Sequence, residues 1–497
     1  MFKNFPGYKV LEKLQKNKSH KRERKFPLNV IKFIFIAVIS LVVAMLPTTA
    51  FGIEGLTDVH QRIIALFVFA ALMWLTEAMP SWVTSMVVVT VMLLTVSTSA
   101  FSFLRPEGNA GLVPFKSIMA CFSNPTIMLF IGGFVLAIGL TKVKLDVALA
   151  RVLLKPFGTR SEIVLLGFIL VTAIFSAFVS NTATAAMMLA FLTPVLRSLP
   201  ADGKGRIALA LAIPVGANLG GMITPIGTPP NMIALDYLAS QGMGISFVDW
   251  TIKMAPFVIV LLLLAWLLLR VLFPFKQKNI KIEIEGDIRW DFKTWSVVAA
   301  FVITIFMWMF GTDLWGVDTN VVAMIPIAIF CATGILTRRD LEEINWSVLW
   351  MVAGGFALGV ALNYKDASSV SLSSLIVESV PFDNFSPIVV MILAGLICFG
   401  FSNFISHSAA TSLLVPVLGV VASGLGTALE GVGGPQAMLV GIAIASSVSM
   451  ILPISTPPNA IAHSTGFIEQ KDMMKVGIIV GIMGLVLGYA MLIFIGF

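Results

Sequence analysis

Apolar residues run along this chain in long continuous stretches, without the two-residue alternation of barrel strands. The stretches fall near 28–50, 59–79, 81–99, 123–140, 162–195, 205–240, 252–274, 292–310, 319–337, 345–362, 385–425, 433–466 and 475–497. About 20 helical residues cross the hydrocarbon core of a bilayer. A helix also satisfies its own backbone N–H and C=O groups, which lipid cannot do. The pattern therefore predicts an all-α polytopic membrane protein. Two stretches, 162–195 and 385–425, are too long for one crossing and carry a polar interruption in the middle. Each is either a re-entrant hairpin or a pair of full spans, and either way the chain returns to the side it left. The expectation is eleven single crossings plus two return segments.

Composition narrows the class. Of 497 residues, 58% are hydrophobic and 12% charged, with 40 glycines besides. That apolar share excludes a water-soluble enzyme, and disordered, collagenous and disulfide-scaffold classes go with it. Cys121, Cys331 and Cys398 are scattered through apolar segments and form no metal-ligand spacing. The net charge of +7 arises within residues 1–27, which hold nine Lys/Arg and two acids. A basic tail ahead of a first span is a topogenic signal that also touches anionic lipid, rather than a nucleic-acid-binding arm. The span near 28–50 is too long for a signal-peptide core and reads as an anchor helix. With the tail inside, the inner loops 142–160, 197–206, 276–293, 338–340 and 469–475 hold seventeen Lys/Arg, and the outer loops hold four: Arg105, Lys116, Lys253 and Lys365. This bias predicts an inside N-terminus and an outside C-terminus. The tail is rich in Lys and has a single serine, unlike an organelle transit peptide, so the expected location is a bacterial cytoplasmic membrane.

Three landmarks recur. Gly132-Gly133-Phe134 returns as Gly354-Gly355-Phe356, Phe178-Val179-Ser180-Asn181-Thr182 as Phe404-Ile405-Ser406-His407-Ser408, and Pro225-Ile226-Gly227-Thr228-Pro229-Pro230-Asn231 as Pro453-Ile454-Ser455-Thr456-Pro457-Pro458-Asn459. The offset is nearly constant. The expected organisation is a basic cytoplasmic tail (1–27), a first anchor helix (28–50), a first repeat (51–274, with return segment 162–195 and broken helix 205–240), a cytoplasmic linker (275–291) and a second repeat (292–497, with return segment 385–425 and broken helix 433–466). Each copy has an odd number of crossings, so the two lie in opposite orientations. Inverted repeats with interrupted helices at matching positions mark secondary transporters that hold substrate near the midplane.

The repeated motifs carry the chemistry. Thr-Pro-Pro breaks a helix, because each proline removes an N–H and displaces the carbonyl four residues back. Free backbone groups survive in a membrane only where they are buried in protein or line a wet cavity. Such breaks offer carbonyls to a cation and half-helix N-termini to an anion. Ser180-Asn181-Thr182 and Ser406-His407-Ser408 stand at the centres of the return segments, flanked by small residues. As hairpin tips they would sit deep in the protein; as loops between full spans they would be solvated, and the paired breaks favour tips. Neither motif contains Lys or Arg, so an anion would be held by N–H, O–H, amide and imidazole groups, with bound cations assisting. Hydroxyls and carbonyls are also the hard ligands that Na+ needs. No organic cofactor is called for.

On Ser180-Asn181-Thr182, Thr224-Pro225-Ile226-Gly227-Thr228-Pro229-Pro230-Asn231, Thr456-Pro457-Pro458-Asn459 and Trp74-Leu75-Thr76-Glu77-Ala78, the chain resembles the divalent anion:sodium symporter (DASS) family, which includes INDY-type dicarboxylate carriers. The resemblance covers nearly the whole chain from about residue 28. It implies a homodimer, a scaffold domain, a transport domain that moves as an elevator, and two re-entrant hairpins. It implies that substrate carboxylates are held by Ser180, Asn181, Thr182, Thr228 and Pro229 in the first half and by Ser406, His407, Ser408, Thr456 and Pro457 in the second. It implies a sodium site at Ser176, Ser180, Asn181 and Gly227, and a second at Ser402, Ile405, His407 and Ser455. The second half departs from the family pattern, which expects Asn-Thr at His407-Ser408. Serine keeps the hydroxyl, but imidazole lacks the amide oxygen a sodium ion needs. His407 is then either a neutral, hydrogen-bonded group or a donor to a substrate carboxylate. His463 and Glu77 read as structural, and the paired glycines as close helix-packing positions.

Charge transfer bears on the coupling mode. Moving a dianion inward against 100 mV takes roughly 4.6 kcal/mol. Symport with three or more cations meets that cost, and exchange of one dianion for another avoids it. Loss of the second sodium set points to exchange of dicarboxylates such as succinate, malate or 2-oxoglutarate, with sodium-coupled import as the alternative. An anion channel would not need paired helix breaks, and no catalytic constellation appears, so an enzyme is not expected.

Overall fold

The computed structural model describes residues 26–200, 203–280, 289–366, 369–381 and 384–497. Most of the basic tail (1–27) and the centre of the linker (275–291) lie outside the described residues. Among the described residues the chain is helical, and its only β pairings are three isolated bridges.

The chain opens with α1 (Phe26–Met45), α2 (Asp58–Thr76), α3 (Ser81–Thr95) and the short α4 (Phe115–Ala120). A first series follows: α5 (Pro125–Lys142), α6 (Leu145–Leu154), α7 (Ser161–Phe178), α8 (Asn181–Ser198), α9 (Gly205–Gly220), α10 (Pro229–Ser240) and α11 (Phe247–Leu272). Next come α12 (Phe292–Trp315), α13 (Thr319–Val322), α14 (Met324–Ala332) and α15 (Arg338–Glu342). A second series then repeats the order of the first: α16 (Trp346–Asn363), α17 (Leu372–Ser379), α18 (Pro387–Phe404), α19 (His407–Leu425), α20 (Gly434–Ser447), α21 (Pro457–Ser464) and α22 (Gln470–Phe494). Each series reads long helix, short helix, two hairpin arms, two halves of a broken helix, long helix.

Local chemistry sets the boundaries. Thr57 and His60 form a capping box at the start of α2, and Glu77 ends that helix in the left-handed region at φ 47°. Asn124 caps α5 by accepting from Thr126 N at 2.8 Å, with Pro125 in the first turn.

Among the described residues, nine helices are long and apolar enough to cross a membrane, and five apolar helices of 10–17 residues are shorter. The shorter ones fall where eleven full-length crossings are expected from the pattern. Pro47 stops α1 at Met45 instead of near residue 50, and a 3-10 turn follows at Thr48–Phe51. The broken helices divide into α9 with α10 and α20 with α21, and the stretch 319–337 into α13 and α14. Two helices lie inside segments read as loops. α6 occupies part of 142–160 and buries Leu145, Asp146, Ala150 and Leu154; α17 buries Leu372 and Leu375. Both are amphipathic and too short to register as apolar runs.

The helices around the breaks pack closely. On Gly216 a Cβ would meet Ile169 and Thr172, and on Gly220 it would overlap the backbone of Ala173, so α7 and α9 touch through main chain. One buried cluster joins α5 through α11 to the second-half helices, and another joins α1–α4 to parts of α16 and α19.

Candidate functional site

Each hairpin tip is built by a serine cap. Val179 and Ile405 have extended backbone, which ends the first arm. Ser180 Oγ then accepts from Ala183 N at 3.3 Å, and Ser406 Oγ accepts from Ala409 N at 3.2 Å. Asn181 and His407 so become the first residues of α8 and α19, where backbone N–H groups lack helical partners.

The helix breaks are built by asparagine clamps. In the first half, Asn231 Nδ2 donates to the carbonyls of Gly221 (3.0 Å) and Thr224 (2.8 Å). In the second, Asn459 Nδ2 donates to those of Met450 (2.9 Å) and Leu452 (3.1 Å). Prolines follow at 229–230 and 457–458, in the first turn of α10 and α21. Each break is also tied to its hairpin. Thr224 Oγ1 donates to the carbonyl of Ala177, and Ser455 Oγ donates to the carbonyl of Asn403 at 3.0 Å. These two carbonyls are themselves repeat-related.

Tips and breaks meet in one cavity of about 320 Å³. Ser180, Asn181, Thr182, Thr228 and Pro229 line it from the first half; Ser406, His407, Ser408, Thr456 and Pro457 line it from the second. The hairpins thus end against the middles of two broken helices, as tips rather than surface loops. Among the described residues no Lys, Arg, Asp or Glu lines the cavity, and His407 is its one titratable side chain. Its volume lies at the lower end of the range for small-molecule sites.

Several lining residues escape the motif reading. Asn218, Trp82, Phe130 and Met351 line the cavity but belong to no repeated motif. Gly133 and Phe134 do belong to one, yet their role differs from packing. A Cβ on Gly132 would overlap Ala323, on Gly354 it would overlap Ser85, and on Gly355 it would come 2.8 Å from Ser412 Cβ. On Gly133 it would meet nothing within 4 Å, because that residue faces the cavity. Close packing therefore accounts for three of the four glycines. His463 lies in the last turn of α21, away from the cavity lining.

The two candidate cation sets differ in their surplus of oxygen. Ser176 Oγ lies 2.6 Å from Asn181 Oδ1 and 2.7 Å from the carbonyl of Ala217. One hydroxyl proton serves only one of these two acceptors, so the cluster has an oxygen lone pair in excess. A Cβ on Gly221 would come 2.7 Å from Asn181 Oδ1, and one on Gly227 would overlap the carbonyl of Gly221. These residues form an oxygen-lined cradle and fit a hard cation. In the second set the protons are already placed. Ser402 Oγ donates to Ser446 Oγ at 3.2 Å, and Ser446 Oγ donates to the carbonyl of His407 at 3.0 Å. His407 Nε2 lies 2.5 Å from the carbonyl of Ser449, so the ring presents an N–H donor there and no oxygen ligand. Among Ser402, Ile405, His407 and Ser455, His407 therefore brings no side-chain oxygen of the kind that Asn181 brings to the first set.

A second cavity of about 720 Å³ is lined by Asp236, Lys365 and Glu378, and by Gly355 and Ser412. α16 contributes Met351 to the first cavity and Gly355 to the second, so it runs between them.

Comparison with known proteins agrees with this architecture. The family description "Sodium:sulfate symporter transmembrane region" matches residues 28–496. An uncharacterized transporter of Haemophilus influenzae is 31% identical over 84% of this chain and 88% of its own. The sodium-dependent dicarboxylate transporter SdcS of Staphylococcus saprophyticus is 27% identical over 94% of this chain and 92% of its own. Among solved structures, the YdaH transporter of Alcanivorax borkumensis shares the fold with a TM-score of 0.52 at 13% identity, over 88% of this chain and 99% of that one.

Proposed function

The chain belongs to the sodium:sulfate symporter (DASS) family of membrane transporters, and from that premise we propose that it carries dicarboxylates by exchanging one dianion for another. The single observation that carries this reading is the imidazole of His407 in the place of a sodium-binding amide, hydrogen-bonded to the carbonyl of Ser449. With the amide of the second set replaced, one cation set of oxygen ligands is left, at Ser176, Ser180, Asn181 and Gly227. One Na+ leaves a dianion with a net negative charge. Moving that load inward against the membrane potential takes about 2.3 kcal/mol per charge per 100 mV. Exchange of equal loads involves no such work.

The substrate class follows from the lining. Two polar half-sites face each other, each with hydroxyls, an N1 backbone amide and one amide or imidazole side chain. Such a pair suits a short molecule with a carboxylate at each end, of the succinate, malate and 2-oxoglutarate class. In this reading Ser180, Asn181, Thr182, Thr228 and Pro229 receive one carboxylate, and Ser406, His407, Ser408, Thr456 and Pro457 receive the other. The two series are inverted repeats, and the protein works as a homodimer whose transport domain moves as an elevator. It lies in the cell membrane with its N-terminus inside and its C-terminus outside. The cavity also includes Ser81, Trp82, Asn345 and Ser347, from segments that the charge bias assigns to the cytoplasmic side, so the conformation described faces inward.

A second reading, sodium-coupled import, is favoured by the relatives named sodium-dependent dicarboxylate transporters. Potential-clamped proteoliposomes separate the two. Exchange predicts that labelled succinate uptake is saturable, is competed by malate and 2-oxoglutarate, and keeps its rate when an inside-negative potential is imposed. A rate that rises with the potential and requires Na+ would establish cation symport instead.

A further inference from the structure

Asn218 closes the last turn of α9, is 2% exposed and lines the cavity. Its amide Nδ2 donates to Thr456 Oγ1 at 3.2 Å and to Asn459 Oδ1 at 3.0 Å, and both acceptors lie in the other repeat. Thr456 Oγ1 also accepts from the backbone N–H of Asn459 at 3.2 Å. A hydroxyl has two lone pairs and one proton. With both lone pairs engaged, the Thr456 O–H is left as a donor, and Thr456 lines the cavity. The backbone beside Asn218 serves the first half, because the carbonyl of Ala217 lies 2.7 Å from Ser176 Oγ. Residues 217–218 therefore touch the candidate cation set through main chain and the opposite substrate turn through a side chain.

The repeat does not reciprocate. The residue that matches Asn218 at the offset of the broken helices is Ser446, and its hydroxyl donates within its own half, to the carbonyl of His407. The match of Asn459 is Asn231, whose Oδ1 is buried without a partner. Thr228, the match of Thr456, makes no side-chain cap bond. The tie runs one way, from the first half to the second.

We propose that Asn218 is a positioning residue for transport: it turns the Thr456 hydroxyl into an oriented donor for a substrate carboxylate and couples that half-site to the cation set of the other half. This rests on the reading of Thr456 as a substrate contact. The test uses the full-length protein in liposomes, with Asn218→Ala and the isosteric Asn218→Asp, which lacks both donor protons. Asn218→Ser, which keeps one donor, serves as the conservative variant. The expected result is a KM for succinate raised tenfold or more in the first two, a kcat within threefold, and an intermediate KM in the third. In parallel, hydrogen–deuterium exchange should quicken at Asn459–Ile461 and stay unchanged at 231–235. Unaltered exchange at Asn459–Ile461 overturns the tie, and faster exchange with unaltered KM overturns its role at substrate. If the unsubstituted protein moves no dicarboxylate, the functional reading fails, while the exchange measurement still decides the tie.

Discussion

His407 Nε2 and the carbonyl oxygen of Ser449 are 2.5 Å apart, so the ring is fastened to the second helix break by its own N–H. At the matching place in the first half, Asn181 turns an oxygen, not a proton, toward Ser176. This difference between the two half-sites is the observation on which the proposed exchange rests. His407→Asn should restore an amide oxygen to the second set. Succinate uptake into liposomes without internal substrate is then expected to become Na+-stimulated, severalfold over the unsubstituted protein. Uptake that stays insensitive to Na+ would show that the second set is disabled by more than this side chain.

The paired glycines predict opposite tolerances. Gly355 lacks room for a Cβ because Ser412 occupies the space, whereas Gly133 has open cavity beside it. Gly355→Ala should destabilise the protein by about 1–3 kcal/mol through overpacking. Gly133→Ala should lie within about 0.5 kcal/mol of the unsubstituted chain, while weakening succinate binding by narrowing the cavity. Thermal melts of the two variants with and without succinate read both effects.

The Lys142–Asp340 ion pair joins the end of α5 to α15 and is mostly shielded, with side chains 25% and 7% exposed. Lys142 Nζ also donates to the carbonyl of Ile335 at 2.6 Å, and Asp340 accepts from the N–H of Thr337 at 2.6 Å. Asp340→Ala strands a half-buried ammonium and undoes the Thr337 cap. A loss of about 2–3 kcal/mol is expected, below the range for fully buried pairs because Lys142 retains some solvent. Lys142→Met with Asp340→Leu should recover much of it in a thermal melt.

Two acids outside the spans give opposite pH trends. Burial pushes the Asp146 carboxyl up to about 6, against the hydrogen bond it accepts from Val147 N–H. Between about pH 4 and 6 the folded chain keeps a proton that the unfolded chain has released, so stability falls as pH rises through this window. Asp146→Asn should flatten that slope and raise the melting temperature at pH 7.5. Desolvation pushes Asp340 up too, but hydrogen bonds from Lys142 and Thr337 outweigh it and hold the carboxyl below the usual range. Its contribution is present at neutral pH and is lost as pH falls through that depressed pKa. Melting curves from pH 2 to 8 on the two single variants separate these trends, with Asp146 read between about pH 4 and 6 and Asp340 below about pH 4.

The features legible in the sequence are those with a local cause. Ser180 and Ser406 cap helices within three residues, and Pro229-Pro230 and Pro457-Pro458 break helices wherever they stand, so tips and breaks declare themselves. All ten residues carried over as substrate contacts line one cavity. Asn218 is illegible because its partners lie 238 and 241 residues away. Gly132 and Gly133 are adjacent and identical, yet one meets Ala323 and the other faces the cavity. Only the direction of the Cα–Cβ vector on α5 distinguishes them. The helix α6 escapes because its ten residues, interrupted by Asp146 and Arg151, are too short to register as an apolar run.

The measurement that tests exchange most directly compares liposomes loaded with unlabelled succinate against liposomes loaded with buffer, each offered labelled succinate in Na+ or in choline. The account predicts uptake into loaded liposomes only, whichever salt is outside. Uptake into empty liposomes that requires Na+ would contradict it, and would mean that a working set of sodium sites persists around His407.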